Sequence, residues 1–129
     1  MNLNQITIPS TDLARAAAFY ETLGLVRIVD SIPRYARFEC PDGGTTMSLH
    51  RVERVDPDSG FTVYFECDDL DGSVARLKAE GVEFESDPED RSWLWREAIV
   101  RDPDGNRVCL YHAGANRRHP PWRVGRGDR

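Results

Sequence analysis

The sequence has few cysteines and no long apolar run. Its three cysteines, Cys40, Cys67 and Cys109, lie far apart and lack the CxxC spacing of a zinc knuckle. An odd number of scattered cysteines does not make a disulfide framework, so we expect reduced thiols. No stretch approaches the roughly eighteen apolar residues of a membrane helix, and no secretory signal pattern opens the chain. These absences predict a cytoplasmic protein without a membrane partner.

Positive charge is also in short supply. The 129 residues contain 17 Lys and Arg against 22 Asp and Glu, a net charge of −5. A chain with this balance does not attract phosphate backbones, so nucleic-acid binding is not expected. Hydrophobic residues at 40% and charged residues at 30% are typical of one globular domain.

A strand, a tight turn and a second strand occur twice in the sequence. The two copies are Arg37–Cys40, Pro41–Gly44 and Met47–His50, and then Ala98–Val100, Pro103–Asn106 and Val108–Tyr111. Pro-Asp-Gly provides turn chemistry in both copies, between segments with the apolar content of strands. The sequence therefore predicts two hairpins of the same kind.

Each hairpin follows a strand, a helix and another strand. The elements predicted for the first half are strand Asn4–Ile8 ended by Pro9, a helix from Leu13 closed by Gly24, and strand Leu25–Val29. Those predicted for the second half are strand Phe61–Cys67, a helix from Leu70 ending at Gly81, strand Val82–Glu85 and an irregular stretch through Asp90. Both helices have one apolar face and an aspartate cap, at Asp12 or its neighbours and at Asp68 or Asp69.

The two halves match at a nearly constant offset. Asp12 and Gly24 correspond to Asp69 and Gly81 with an offset of 57, and the Pro-Asp-Gly turns with an offset of 62. A polar linker, Arg51–Gly60, separates the halves. We infer a duplicated βαβββ module in which two apolar sheet faces enclose a cavity. The predicted organisation is a single domain, 1–129, with modules at about 1–56 and 57–112 and an arm at 113–129.

Three stretches resemble the vicinal oxygen chelate superfamily, also called the glyoxalase, bleomycin-resistance and extradiol dioxygenase fold. They are TDLARAAAFYETLGL, FECDDLDGSVARLKAEGVEF and WREAIVRDPDGNRVCLY, and they cover nearly the whole chain to about His112. The resemblance implies an α+β fold in which two tandem βαβββ modules form a curved, barrel-like mixed sheet around a cavity. It also implies a homodimer and a small-molecule ligand.

Members of that superfamily commonly hold one divalent metal, and its usual ligand positions correspond here to Gln5, Ser48, Thr62 and Cys109. An amide, two hydroxyls and a thiol, without a carboxylate or an imidazole, are poor ligands for a mid-row divalent ion. No cofactor is therefore predicted, and a divalent metal is disfavoured. Members that bind antibiotics or other small molecules without metal are the closer analogy.

Strand parity selects the side chains expected to line the cavity. They are Gln5, Thr7, Ser48, His50, Thr62, Tyr64, Cys109 and Tyr111. His50 is either a general base or ligand contact, or a histidine at a strand end near solvent, and the sequence does not decide between them. For Cys109, a packed and inert side chain is favoured over a nucleophile.

Three residues before the second hairpin are further candidates. Trp93 is expected to pack, whereas Trp95 is expected to contact the ligand as an aromatic wall. Arg96 either clamps a carboxylate or phosphate of the ligand or forms a surface pair with Glu97. Beyond the hairpin, Trp122 is expected to anchor a basic arm on its own domain or on a second subunit, with mobile residues from Gly125 onward.

Three functions remain open from the sequence. The first is a homodimeric, metal-independent protein that binds a small molecule. The second is a lyase, isomerase or dioxygenase that recruits a metal through His50 with partners such as Glu39 or Glu66. The third is a regulatory or scaffold subunit whose interior is filled by bulky side chains.

Overall fold

A computed structural model describes residues 1–125 of the chain as an α+β fold. In chain order its elements are β1 (Gln5–Ser10), α1 (Leu13–Leu23), β2 (Val26–Ser31), β3 (Tyr35–Glu39), β4 (Thr46–Arg51), β5 (Thr62–Glu66), α2 (Leu70–Ala79), β6 (Glu89–Asp90), β7 (Arg96–Arg101) and β8 (Arg107–His112). A short 3-10 turn, Gly114–Asn116, follows β8. The mobility expected from Gly125 onward mostly concerns residues 126–129, which lie outside the described residues.

The strands form two four-stranded sheets with the same internal order. The first sheet runs β1-β4-β3-β2 and the second runs β5-β8-β7-β6. In the first sheet β1 pairs parallel with β4, while β3 pairs antiparallel with both β2 and β4. This equivalence confirms the predicted duplication of a βαβββ module.

The chain divides into two compact units. The first unit comprises Met1–Phe61 together with Arg101–Arg107, the turn between β7 and β8. The second comprises Thr62–Val100 and the chain from Val108. The turn of the second hairpin therefore belongs to the first unit, although most of β7 and β8 belongs to the second.

Helix α1 covers one face of the first sheet. The Asp12 side chain caps the helix by accepting a hydrogen bond of 3.2 Å from the N–H of Arg15. Gly24 ends it in the left-handed conformation, with φ of 115°, which a residue with a Cβ rarely adopts. Its buried face lies against the sheet, and the apolar core of this unit includes Ile8, Leu13, Ala16, Ala17, Tyr20, Ala36, Phe38, Met47 and Leu49.

Helix α2 has the same design in the second unit. Asp69 caps it by accepting a hydrogen bond of 3.0 Å from the N–H of Gly72, and Leu70, Val74 and Leu77 are buried. The helix ends at Ala79, slightly before the predicted Gly81. Across residues 1–125, neither helix has the length and apolar character needed to span a membrane.

Some sequence predictions of strands are wrong. Strand β1 continues through Pro9 to Ser10, because it lies at the edge of its sheet, where a missing N–H is tolerated. The predicted strand Val82–Glu85 is reduced to one isolated bridge, between Phe84 and Val100.

Two hydrogen bonds explain why the predicted strand Val82–Glu85 does not form beyond this bridge. The N–H of Val82 bonds the carbonyl of Leu77 at the end of α2, and the Ser86 hydroxyl accepts from the N–H of Ile99 at 3.1 Å. A side chain thus occupies a position that a strand carbonyl would fill. Strand β6 forms instead at Glu89–Asp90, inside the stretch predicted to be irregular.

Candidate functional site

The face of the first sheet opposite α1 carries polar side chains. Strand register places Ser48 between Thr7 on β1 and Arg37 on β3, and places His50 between Pro9 and Tyr35. We call this the polar face and define it by Gln5, Thr7, Tyr35, Arg37, Ser48 and His50. Ser48 is fully buried, whereas Gln5, Thr7 and His50 are exposed.

A continuous chain of hydrogen bonds orders the polar face. Gln5 Nε2 donates to Ser48 Oγ at 2.7 Å, and Ser48 Oγ shares a hydrogen bond of 2.5 Å with the hydroxyl of Tyr35. That hydroxyl also accepts from Arg37 Nε at 2.9 Å. The hydrogen bond with Ser48, followed by the one from Arg37, lowers the pKa of Tyr35 below its usual value.

The polar face does not fit a divalent metal. The amide of Gln5 donates to Ser48 and accepts from the hydroxyl of Thr46, so both of its polar atoms are engaged. The guanidinium of Arg37 adds a positive charge nearby, which opposes a cation. Within residues 1–125, no group of three or more His, Cys, Asp or Glu side chains is arranged to hold a metal.

Three aromatic side chains form a cluster in the second unit, which we call the aromatic cluster: Tyr64, Trp95 and Tyr111. Trp95 and Tyr111 stack at a centroid distance of 4.6 Å with an interplanar angle of 21°. Tyr64 stands edge-on to both rings, at 5.9 Å from Trp95 and 5.7 Å from Tyr111. Tyr64 remains 50% exposed, so the cluster offers aromatic surface to solvent.

Apolar side chains support the aromatic cluster. Ile99, Cys109, Tyr111 and Ala113 are buried together, and Trp95 packs against them. Cys109 is only 1% exposed. Burial of this kind favours the inert interpretation of its thiol. Thr62 is half-buried on β5, two residues before Tyr64.

The start of the C-terminal arm is fixed to the same unit. One carboxylate oxygen of Glu66 accepts hydrogen bonds from the N–H groups of Ala113 and Gly114, at 2.8 and 2.9 Å. Trp95 Nε1 donates to the carbonyl of Asn116 at 3.4 Å, which ties the arm to the aromatic cluster. Trp122, in contrast, is 55% exposed, so its role as an anchor stays a prediction.

Burial and hydrogen bonding act in opposite directions on Glu66. Desolvation, the largest single effect, favours the neutral carboxyl. The N–H groups of Ala113 and Gly114, together with the charges of His112 and Arg117, outweigh it and lower the pKa of Glu66. The carboxylate of Glu66, which was considered as a non-standard metal ligand, is therefore hydrogen-bonded to the backbone of the arm.

Arg96 and Glu97, the two residues that follow Trp95, bond other residues rather than each other. Arg96 forms ion pairs with Asp71 at 2.9 Å and Asp90 at 3.0 Å, rather than with Glu97. Glu97 is buried and accepts a hydrogen bond of 2.8 Å from Trp93 Nε1. Because two carboxylates already neutralise Arg96, its use as a ligand clamp would require breaking these pairs.

Sequence reasoning missed Tyr35 and Arg37. The first strand of the first hairpin was predicted to begin at Arg37, whereas β3 begins at Tyr35. The parity rule that selected Ser48 and His50 also selects Arg37, which lay inside the predicted strand, and it selects Tyr35 once β3 is given its full length. The signal was therefore present in the sequence, but the rule was not applied to this strand, which was also drawn too short to include Tyr35.

Comparisons with known proteins cover nearly the whole chain. The family model described as the Glyoxalase/Bleomycin resistance protein/Dioxygenase superfamily matches residues 2–110. The uncharacterized protein YraH of Bacillus subtilis (strain 168) is 30% identical over 127 residues, covering 86% of this chain and 98% of YraH. These two matches extend across both units.

Two solved structures share the fold. A bleomycin resistance determinant encoded on the transposon Tn5 matches with a TM-score of 0.72 at 26% identity, covering 87% of this chain and 98% of that chain. A bleomycin-binding protein crystallised with bleomycin has a TM-score of 0.72 at 24% identity, with the same coverage. Both likenesses agree with the duplicated βαβββ module described above.

Proposed function

Because the chain belongs to the glyoxalase/bleomycin resistance protein/dioxygenase superfamily, we propose that it binds a small organic molecule through the aromatic cluster of its second unit. The observation that carries this proposal is the stack of Trp95 on Tyr111, with Tyr64 standing edge-on and half exposed. Such a surface favours a ligand with a planar or apolar portion, because stacking and burial of apolar area both contribute to binding. The structural likeness to a bleomycin resistance determinant gives additional support.

The aromatic cluster is held in place before a ligand arrives. Trp95 is fixed by its stack on Tyr111, by the buried side chains beneath it and by its hydrogen bond to Asn116. Rings that are already ordered lose little conformational entropy on binding, so more of the contact energy appears as affinity. This preorganisation supports a binding role for the cluster.

Metal independence is part of the proposal. It is supported by the donor chemistry of Gln5 and Ser48, whose polar atoms bond each other and their neighbours, and by the positive charge of Arg37. Metal analysis after dialysis against Mn²⁺, Fe²⁺, Ni²⁺ and Zn²⁺ tests it, with wild type compared with His50→Ala. A stoichiometric metal that is lost in His50→Ala would instead support the lyase, isomerase or dioxygenase alternative.

Homodimerisation is likewise proposed rather than observed. It rests on the superfamily resemblance and on exposed apolar side chains of the second unit, among them Trp93, Leu94 and Trp122. Light scattering coupled to size exclusion would give twice the chain mass for a dimer. A monomer at high micromolar concentration would contradict this part of the proposal.

Ligand binding is tested first by thermal shift with a panel of planar aromatic compounds and, separately, with bleomycin. Compounds that raise the Tm are then titrated by calorimetry against wild type, Tyr64→Ala and Phe61→Ala. Both substitutions remove a partly exposed aromatic ring, but Phe61, which is 41% exposed, lies outside the cluster. We expect Tyr64→Ala to weaken binding about tenfold, the equivalent of about 1.4 kcal/mol, and Phe61→Ala to leave it unchanged. Equal effects of the two variants would contradict the proposed site.

A further inference from the structure

Arg37 is held in a fixed position on the polar face. Its side chain is half-buried, its Nε donates to the hydroxyl of Tyr35, and its guanidinium carbon lies 5.5 Å from the centre of the Tyr35 ring. Tyr35 is in turn bonded to Ser48, and Ser48 to Gln5. The side chains of Tyr35, Ser48 and Gln5 therefore restrict the direction in which the guanidinium points.

The charge of Arg37 has no acidic partner among residues 1–125. Arg27, on the neighbouring strand, pairs with Glu21 at 2.8 Å and with Asp30 at 3.2 Å. A partly buried guanidinium without a counter-charge is costly, and an anion that bonds its two Nη groups offsets that cost. The contrast with Arg27 indicates that an anionic partner of Arg37 would come from outside the chain.

We propose that Arg37 and the Tyr35 hydroxyl form a binding site for a small oxyanion, the carboxylate or phosphate group of a metabolite. The two Nη groups present a planar fork that matches two oxygens of such an anion. When Ser48 is the donor in its hydrogen bond with Tyr35, the Tyr35 oxygen accepts from both Ser48 and Arg37. The O–H group of Tyr35 is then available to donate to the anion. His50 lies opposite Tyr35 in the strand register and borders the site.

One acidic residue opposes the site without blocking it. Glu39 lies two residues from Arg37 on β3, on the same face, and is exposed to solvent. Solvent screens its repulsion of a bound anion. Glu39→Gln is therefore expected to strengthen anion binding about twofold at low ionic strength.

All residues of the proposed site belong to the first unit. The test of this site is therefore independent of the test of the aromatic cluster.

Nuclear magnetic resonance tests the site directly. The ¹⁵N-labelled protein is titrated with sodium acetate and separately with inorganic phosphate, with sodium chloride at matched ionic strength as the reference salt. We expect saturable shifts of the Arg37 Nε–H signal with at least one oxyanion and none with chloride. The tighter of the two anions then identifies the ligand group as a carboxylate or a phosphate.

Matched variants separate a specific site from a general effect of charge. Arg37→Gln and Arg15→Gln remove the same charge, but Arg15 is exposed on α1, away from the polar face. Binding, followed through backbone amide signals of β3 and β4, should weaken about tenfold in Arg37→Gln and remain within twofold in Arg15→Gln. Arg37→Lys keeps the charge without the planar fork, so it should bind the anion several-fold more weakly than wild type. This variant replaces Arg37→Gln in the comparison if Arg37→Gln does not fold. Equal losses in Arg37→Gln and Arg15→Gln, wild-type binding by Arg37→Lys, or the absence of a saturable shift in wild type would overturn the proposal.

Discussion

The hydroxyl of Tyr20, on α1, donates a hydrogen bond of 2.7 Å to Oδ2 of Asp102, in the turn between β7 and β8. Both residues are buried and they lie 82 positions apart in the sequence. Asp102 also accepts from the N–H groups of Asp104 and Asn106, and from the side-chain amide of Asn106. The Phe-Tyr pair of α1 and the Asp-Pro-Asp-Gly-Asn turn, which carried the family resemblance, are thus joined in one structural contact.

Removing the Tyr20 hydroxyl should destabilise the protein without changing its fold. Tyr20→Phe keeps the ring but leaves a buried carboxylate oxygen with one donor fewer, which costs about 1.5–3 kcal/mol. Asp102→Asn should cost at least as much, because it also alters the bonds inside the turn. Urea unfolding followed by circular dichroism measures the free energy of unfolding, and Arg15→Gln, an exposed substitution on the same helix, is the comparison. A loss below about 0.5 kcal/mol for Tyr20→Phe would show that the contact contributes little.

The same contact predicts an alkaline limit to stability. Burial, followed by the negative charge of Asp102, raises the pKa of Tyr20 far above its usual value. Because the pKa of Tyr20 is higher in the folded than in the unfolded protein, the stabilisation by its hydroxyl is complete below pH 10. The stabilisation is lost above pH 10, where this tyrosine ionises in the unfolded protein. The free energy of unfolding of wild type should fall more steeply between pH 9.5 and 11 than that of Tyr20→Phe. Parallel curves for the two proteins would contradict the prediction.

The repeated pattern predicted most of the fold, because each of its parts is a local signal. The caps at Asp12 and Asp69, the stop at Gly24 and the apolar faces of both helices depend only on neighbouring residues, and the structure confirms them. The strand at Val82–Glu85 failed because its outcome depended on a distant competitor. The hydrogen bond from the N–H of Ile99 to Ser86 Oγ is a tertiary contact that strand periodicity does not report.

The candidate site was predictable in part for the same reason. Strand parity selected Gln5, Ser48, Tyr64 and Tyr111 together, as side chains of one cavity. The structure brings Gln5 to Ser48 in the first unit and Tyr64 to Tyr111 in the second. Strand parity shows which side chains share a face, but not which residues they bond. The ion pairs of Arg96 and the hydrogen bonds of Glu66 therefore could not be predicted from the sequence. The pair of Arg96 with Asp71 spans 25 positions, and the hydrogen bonds of Glu66 span 47 and 48.

Glu66 should act as an acid-sensitive anchor for the C-terminal arm. Its pKa is lowered in the folded state, so its contribution is present above the usual value of 4.5 and is lost as the pH falls below it. The carboxyl group is partly exposed to solvent, so the expected effect is modest, about 1 kcal/mol. Glu66→Gln should therefore differ from wild type at pH 7 and converge with it near pH 3.

Two observations check this prediction about Glu66. The free energy of unfolding reports the global effect, and amide hydrogen exchange at Ala113 and Gly114 reports whether the arm opens locally. Glu53→Gln, at an exposed position of the first unit, is the control and should show no such convergence. Unchanged exchange at both amides in Glu66→Gln would show that the arm is held by other contacts.

The three cysteines should differ sharply in reactivity. Cys109 is buried in the apolar cluster, whereas Cys40 and Cys67 are partly exposed, and desolvation raises the pKa of both of these thiols. In native protein at pH 8, a thiol reagent should therefore label Cys40 and Cys67 slowly, and should label Cys109 only when the protein unfolds. Peptide mass spectrometry after timed labelling distinguishes the three sites, with protein in urea as the reference for full reaction. Rapid labelling of Cys109 in native protein would contradict the inert interpretation and would support the alternative that Cys109 is a nucleophile.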